Sequence, residues 1–300
     1  MKKHQTAAVK TPRPPIRPRT REAIGGYLFM APWIVGFFAF TLFPFLYSIY
    51  LSFQEVNLQS GGGIRGTFVG LRWYKEALTE DTTFTLSLLD SLKFIVLSTP
   101  MIVVVALLLA LLLNGKYRGR TLFRAIFFFP VVIVSGPVVD ELMQTNAAAV
   151  VHPENYLIYD FIQSLPGVLS SPLLYIFDNI VMILWFSGVQ IILFLAGLQK
   201  IGQPLREAAS IDGASSWQMF WKIYLPFLKP LLLLNTIYTV VMLSAFSDNA
   251  VNGEIVGKMY ATGKEFAYSS AMAWIYFLIL LILLGVAFLL FRGRKEKRHG

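Results

Sequence analysis

The stretch SLKFIVLSTPMIVVVALLLALLLN, residues 91–114, decides the fold. Its only charged side chain is Lys93, close to one end. A helix rises about 1.5 Å per residue, so about 20 apolar residues cross the hydrocarbon layer of a membrane, which is about 30 Å thick. The stretch therefore predicts a membrane-spanning helix.

Five other stretches satisfy the same criterion. They are residues 25–53, 122–143, 173–198, 228–247 and 269–291. The 300-residue chain is 56% hydrophobic and only 14% charged, with a mean hydropathy of +0.61, whereas soluble proteins are about 25% charged. We therefore predict an all-α membrane protein with six transmembrane helices.

The distribution of charge predicts the orientation of these spans. If the N-terminus is cytoplasmic, the inner segments carry 20 of the 26 Lys and Arg residues but only 4 of the 17 acidic ones. Lys and Arg accumulate in cytoplasmic loops, so we expect both termini in the cytoplasm. The chain then divides into a basic tail over 1–24, a membrane domain over 25–292 and a second basic tail over 293–300.

Three loops fall on the outer side in this topology, at 54–90, 144–172 and 248–268. Their glycine-rich and proline-broken pieces favour turns rather than further spans. Residues 156–169 are amphipathic, which is compatible with a short helix on the outer membrane interface or with a loop helix packed on the bundle.

The side chains of common catalytic and metal sites are scarce. Cysteine is absent, and the three histidines, His4, His152 and His299, lie in the tails and an outer loop, so we predict neither a catalytic site nor a metal site. The nearest match to a nucleotide-binding loop, 253–259, has one residue too few between its glycines and lacks the Ser or Thr that binds Mg²⁺. If ATP drives this protein, another chain must bind it.

The inner loop after the fourth span, residues 201–230, reads as two short helices joined by a turn. Pro204 suits the first turn of a helix, and Gly213 can take the left-handed conformation that ends one. Ser215 and Gln218 have the spacing of a capping box. Aromatic residues then recur at helical spacing and form a face suited to the inner membrane interface. We expect Leu225-Pro226 to break this second helix.

The same loop resembles a known family at specific positions. Glu207-Ala208-Ala209, Gly213, Ile223 and Leu225-Pro226 are similar to the EAA loop of permease subunits in bacterial ABC importers. Asp212-Gly213-Ala214 resembles the carbohydrate-uptake, maltose-type branch, as does ALLLALLLNGKYRGRTLFRAIFFFP at 106–130. The stretch 144–190 departs from that branch.

The resemblance implies a permease of the bacterial inner membrane that pairs with a second, homologous permease. It also implies two ATPase subunits, which bind ATP and Mg²⁺, and an external solute-binding protein. The loop 201–226 would be the coupling helix, with these residues at the ATPase: Glu207, Ala208, Ala209, Asp212 and Gly213. This chain would bind no cofactor itself.

The solute path is predicted from polar side chains within spans four and five. Sugars are commonly bound by aromatic faces and neutral hydrogen-bonding groups, and we select Trp185, Gln190, Asn235 and Tyr238. The alternative for each residue is a hydrogen bond between neighbouring helices.

Two other functional classes remain open from the residues alone. A self-sufficient secondary carrier or channel would need neither ATP nor partner chains, and an intramembrane enzyme has little support because its catalytic groups are missing. The basic tails favour contact with membrane lipid over nucleic acid.

Overall fold

The computed structural model describes residues 18–58, 64–115, 122, 157–246, 249–260 and 265–291. Five of its helices are long and apolar enough to cross a membrane, namely Gly25–Ser52, Thr82–Leu113, Met182–Lys200, Ser216–Ser244 and Phe266–Phe291. They overlap five of the six predicted spans. The remaining span, 122–143, lies outside the described residues apart from Leu122.

The elements follow one another in this order: α1 (Pro18–Phe37), a π-turn (Phe38–Leu42), α2 (Phe43–Ser52), β1 (Gln54–Leu58), β2 (Ile64–Phe68), α3 (Arg72–Thr79), α4 (Thr82–Leu113), α5 (Leu157–Gln163), α6 (Gly167–Asp178), α7 (Ile180–Lys200), α8 (Gln203–Ile211), α9 (Ser216–Met219), a second π-turn (Phe220–Tyr224), α10 (Leu225–Ser244), α11 (Ala250–Met259) and α12 (Glu265–Phe291). The strands β1 and β2 form an antiparallel hairpin. The predicted outer loops thus contain a hairpin and short helices.

Two predicted spans have different limits in the structure. Helix α4 begins at Thr82 rather than at 91, because the Asp81 side chain accepts a hydrogen bond from the Phe84 amide at 3.0 Å and caps the helix. The fourth span is divided at Asn179, between α6 and α7. The Asn179 side chain donates to the Tyr175 carbonyl at 2.9 Å, a local bond that competes with regular helix geometry.

The expected break at Leu225-Pro226 is wrong, because the helix continues through the second π-turn into α10. The Leu225 amide bonds to the Phe220 carbonyl, five residues back, which widens the helix just before Pro226. Pro44 follows the first π-turn in the same way, with the Phe43 amide bonded to the Phe38 carbonyl. A widened turn relieves the clash between a proline ring and the preceding turn, so both helices pass their prolines unbroken.

The long helices pack around two groups of buried apolar side chains. The first joins α4, α7, α10 and α12 and includes Phe84, Ile95, Ile183, Leu243 and Met272; the second joins α4, α7 and α10 and includes Ala106, Ala110, Phe194, Leu198 and Leu228. The pair α4 and α7 makes the most extensive contact. These helices form the frame that holds the loop after α7 at one end and helix α11 at the other.

Candidate functional site

The inner loop forms a helix–turn–helix that begins directly after α7. Pro204 lies in the first turn of α8, as predicted, where its missing amide hydrogen costs no hydrogen bond. The Gln203 side chain donates a hydrogen bond to Oε1 of Glu207, one turn further along α8, at 2.6 Å. Glu207 is therefore held in place by its own helix while its side chain remains exposed.

The turn after α8 has a conformation that glycine favours. Gly213 has a φ of +75°, as predicted from its place in the sequence. The Ala214 amide bonds to the Ala209 carbonyl at 2.9 Å and the Gly213 amide to the Ser210 carbonyl at 3.1 Å. This pair of bonds is the Schellman motif, which satisfies the last carbonyls of a helix.

The second short helix starts with the predicted capping box. The Gln218 amide donates to Ser215 Oγ at 3.2 Å, and the Ser215 amide donates to Gln218 Oε1 at 2.9 Å. With both sides of the turn fixed by local hydrogen bonds, the loop is a rigid unit.

This rigid unit projects from the bundle. Among its described residues, none in α8 or α9 is buried. Glu207, Ala208, Asp212 and Gly213 are exposed and Ala209 is half-buried, so the structure places the five predicted coupling residues on one accessible segment. Ile211, in the last turn of α8, is also exposed, at 86%.

A second group of polar side chains lies inside the bundle. Gln190 and Asn235 are fully buried. Gln190 Nε2 donates to Thr239 Oγ1 at 2.8 Å, and Thr239 Oγ1 donates to the Asn235 carbonyl at 2.8 Å. Gln190 thus links α7 to α10. A hydrogen bond between neighbouring helices is the role that we considered as the alternative to solute binding.

Several buried polar atoms nevertheless lack a hydrogen-bond partner in the described part of the chain. They are Gln190 Oε1, both side-chain polar atoms of Asn235, Trp185 Nε1 and Thr99 Oγ1. Leaving such atoms unpaired costs about 1–3 kcal/mol each, so they are candidates for contact with a solute or water. Tyr238 differs from this group because it is 37% exposed.

Thr99 is a further candidate that the sequence alone did not single out. It precedes Pro100 inside the apolar stretch of the second span, and it lines an apolar cavity of about 350 Å³ between α4, α10 and α12. The sequence did offer one signal. Pro100 has no amide hydrogen to donate within the helix, and a hydroxyl residue directly precedes it.

Electrostatic contacts concentrate at the opposite end of the bundle. Asp81 accepts a hydrogen bond from the Tyr268 hydroxyl at 2.8 Å and forms an ion pair with Lys258 at 3.2 Å. Burial alone would raise the pKa of Asp81, but hydrogen bonds from Phe84, Tyr268 and Lys258 outweigh it and lower the pKa below the ordinary 3.8. The bond to Asp81 raises the pKa of Lys258 in turn. The contacts of Asp81 with Lys258 and Tyr268 join the start of α4 to α11 and α12.

The family comparison decides the identity of the chain. Residues 84–295, more than half of the sequence, match the family described as the binding-protein-dependent transport system inner membrane component. The chain belongs to this family. The permease is therefore a membrane component of a transport system, and the carrier or channel alternative is set aside because the family depends on a binding protein.

Known relatives extend over most of the permease. The lactose transport system permease protein LacF of Rhizobium radiobacter is 30% identical over 92% of this chain and 95% of its own length. The probable ABC transporter permease protein YesP of Bacillus subtilis is 28% identical over 87% of this chain and 88% of its own length. The permease is thus similar in sequence to ABC transporter permeases along nearly its whole length.

A solved structure has the same fold. It is a chain of a bacterial alginate ABC transporter in complex with its alginate pentasaccharide-bound periplasmic protein. The two chains superpose with a TM-score of 0.62 at 19% identity, covering 91% of this chain and 96% of the other.

Proposed function

We propose that the permease forms half of the translocation path of an ATP-driven sugar importer. A second homologous permease completes the path, two ATPase subunits bind the coupling residues between Glu207 and Gly213, and an external solute-binding protein delivers the sugar. Both termini lie in the cytoplasm. Relatives that carry lactose or arabinooligosaccharide transport names support a mono- or oligosaccharide as the solute.

The observation that carries this proposal is the exposed, rigid helix–turn–helix at residues 201–219. The Schellman motif and the capping box fix its shape without help from the rest of the bundle. Its ends continue into α7 and, through the π-turn, into α10, two of the long apolar helices. A movement of a bound ATPase would therefore be passed to these helices as a rigid-body rotation.

The interior polar atoms supply the second part of the proposal. Amide and indole groups that have no hydrogen-bond partner among the described residues offer both acceptors and donors inside an apolar bundle, and these are the contacts that sugar hydroxyls require. Trp185, Gln190 and Asn235 would line the solute path, with Thr99 as an addition. Tyr238, being partly exposed, would contribute from the margin of the bundle or through the second permease.

Substitutions in the loop test the coupling role. We expect Glu207→Lys and Gly213→Val each to abolish ATP-dependent sugar uptake while the permease still inserts in the membrane. The first reverses the charge of an exposed side chain, and the second places a branched residue at a φ of +75°. Radiolabelled uptake and membrane immunoblots are measured together.

Gly202→Ala is the matched control, because Gly202 lies at the other end of α8 with a φ of −58° and an added Cβ would make only an ordinary contact with Pro204 at 3.6 Å. Uptake at the wild-type rate by the Glu207 and Gly213 variants would refute the coupling role.

A further inference from the structure

The helix that leaves the inner loop is longer than a membrane span requires. Residues Ser216–Ser244 form a continuous apolar helix of 29 residues. Helix α10 alone has 20 residues, about 30 Å, which equals the thickness of the hydrocarbon layer. If α10 spans that layer, Ser216–Tyr224 lies beside the lipid headgroups.

This extension carries a cluster of exposed aromatic side chains. Trp217 is 69% exposed and Trp221 is 48% exposed. Their rings meet edge to face at 5.4 Å, and Phe220 packs against Trp221 at 5.1 Å. Indole rings in this setting prefer the boundary between hydrocarbon and headgroups, where the ring is in an apolar medium and the N–H is hydrated.

Two exposed lysines accompany the aromatic cluster. Lys222 and Lys229 are exposed, and in the described part of the chain neither has a carboxylate within ion-pair distance. They lie on either side of Leu225, where α10 begins. Long lysine side chains near the end of a span extend toward the headgroups, so both ammonium groups reach the same layer.

We propose that Trp217, Trp221, Lys222 and Lys229 form a binding site for an anionic phospholipid. The indoles lie against the upper part of the acyl chains, and the ammonium groups bind the phosphate. Two observations favour lipid over a protein partner: the aromatic cluster is continuous with a membrane-spanning helix, and the lysines beside it are positive, opposite to the headgroup. The bound lipid anchors the base of the helix–turn–helix to the bilayer.

That this lipid site faces the cytoplasmic leaflet rests on the proposed function, but lipid binding can be measured without knowing the leaflet. The permease, purified with whatever subunits accompany it, is placed in nanodiscs of phosphatidylcholine and phosphatidylglycerol, with bromine on the upper acyl chain of one lipid or the other. The emission of Trp217 and Trp221 is obtained by subtracting the spectrum of the Trp217→Phe, Trp221→Phe variant.

We expect brominated phosphatidylglycerol to quench this emission at least about threefold more than brominated phosphatidylcholine, because lysines near the surface enrich anionic lipid. Lys222→Gln should reduce this excess of quenching by phosphatidylglycerol over phosphatidylcholine. Lys200→Gln is the matched control, since Lys200 is exposed in the last turn of α7 and lies outside the proposed site.

Equal quenching by the two lipids would overturn the site. Absence of quenching by both lipids would also overturn it and would assign the cluster to a protein surface. Neither result bears on sugar uptake, so failure of the lipid site and failure of the importer proposal are distinguished.

Discussion

At the scale of single residues, Gly197 shows how closely α7 and α10 approach. A Cβ atom added there would lie 2.2 Å from Leu231 Cδ1 and 2.9 Å from Leu228 Cδ2. Small residues permit such contacts between membrane helices, where packing is a main source of stability. Gly197 is therefore a packing residue, although its sequence position alone gives no sign of it.

We predict that Gly197→Ala destabilises the permease by about 1–3 kcal/mol, because Leu228 and Leu231 must shift to admit the added Cβ atom. The check is the thermal unfolding of the detergent-solubilised protein. Gly285→Ala in α12 is the control, since a Cβ there has no atom within 4 Å. A melting temperature for Gly197→Ala equal to that of the control would contradict the packing in the structure.

Asp81 leads to a prediction about pH. Its folded-state pKa lies below the ordinary value, so its charged form stabilises the folded protein above the unfolded-state pKa, and this contribution is lost as the pH falls through the folded pKa. We expect Asp81→Asn to lower the melting temperature by a constant amount between about pH 8 and about pH 5, and the gap to narrow below about pH 4.

Asp81 and Glu80 both line a cavity of about 400 Å³, and the Glu80 carboxylate is exposed, so Glu80→Gln is the control for this prediction. Its melting temperature should follow that of the wild type at each pH. A gap for Asp81→Asn that stays unchanged to about pH 3 would show that the ionised carboxylate is not the stabilising group.

The local features of the inner loop could be predicted from the sequence, whereas the interior contacts could not. Gly213 and the Ser215–Gln218 capping box depend on residues within one turn of each other. The hydrogen bond from Gln190 to Thr239 joins residues 49 positions apart. Such a bond depends on the relative rotation of α7 and α10, which one sequence does not specify.

At the scale of elements, helix α11 is held to the bundle by Asn249. The Asn249 side chain accepts a hydrogen bond from the Ser91 hydroxyl, donates to the Tyr276 hydroxyl at 3.1 Å, and accepts from the Val251 amide at 3.2 Å. One buried amide group thus connects α4, α11 and α12.

We predict that Asn249→Ala speeds hydrogen exchange across α11, because the buried partners of Asn249 lose their bonds at a cost of about 1–3 kcal/mol. Mass spectrometry of residues 250–259 measures the change. Ser270→Ala serves as control, since the Ser270 hydroxyl bonds within its own helix to the Phe266 carbonyl. Unchanged protection of α11 in Asn249→Ala would argue against this anchoring role.

The limits of the elements were harder to predict than their existence. Hydropathy located five long helices because an apolar run of this length has few other stable environments. It missed the start of α4, which a capping side chain extends to Thr82, and the division at Asn179. The break expected from Leu225-Pro226 was also wrong, because a π-turn depends on which carbonyl each backbone amide binds.

At the scale of the whole molecule, no residue is buried in the apolar 18-residue stretch of the first long helix, Gly25–Ser52. In the helix Met182–Lys200, by contrast, 56% of the residues in such a stretch are buried. A surface of this kind suits lipid or a neighbouring permease. The proposed assembly with a second permease would cover such a surface, so recovery of the partner subunits tests the importer proposal.

The direct measurement is affinity purification of the permease from native membranes in mild detergent, with mass spectrometry of the recovered proteins and an assay of ATP hydrolysis. The importer proposal predicts recovery of a second, homologous permease and an ATPase subunit, with hydrolysis that the solute-binding protein stimulates. Recovery of a solitary or homo-oligomeric permease that transports sugar without ATP would contradict it.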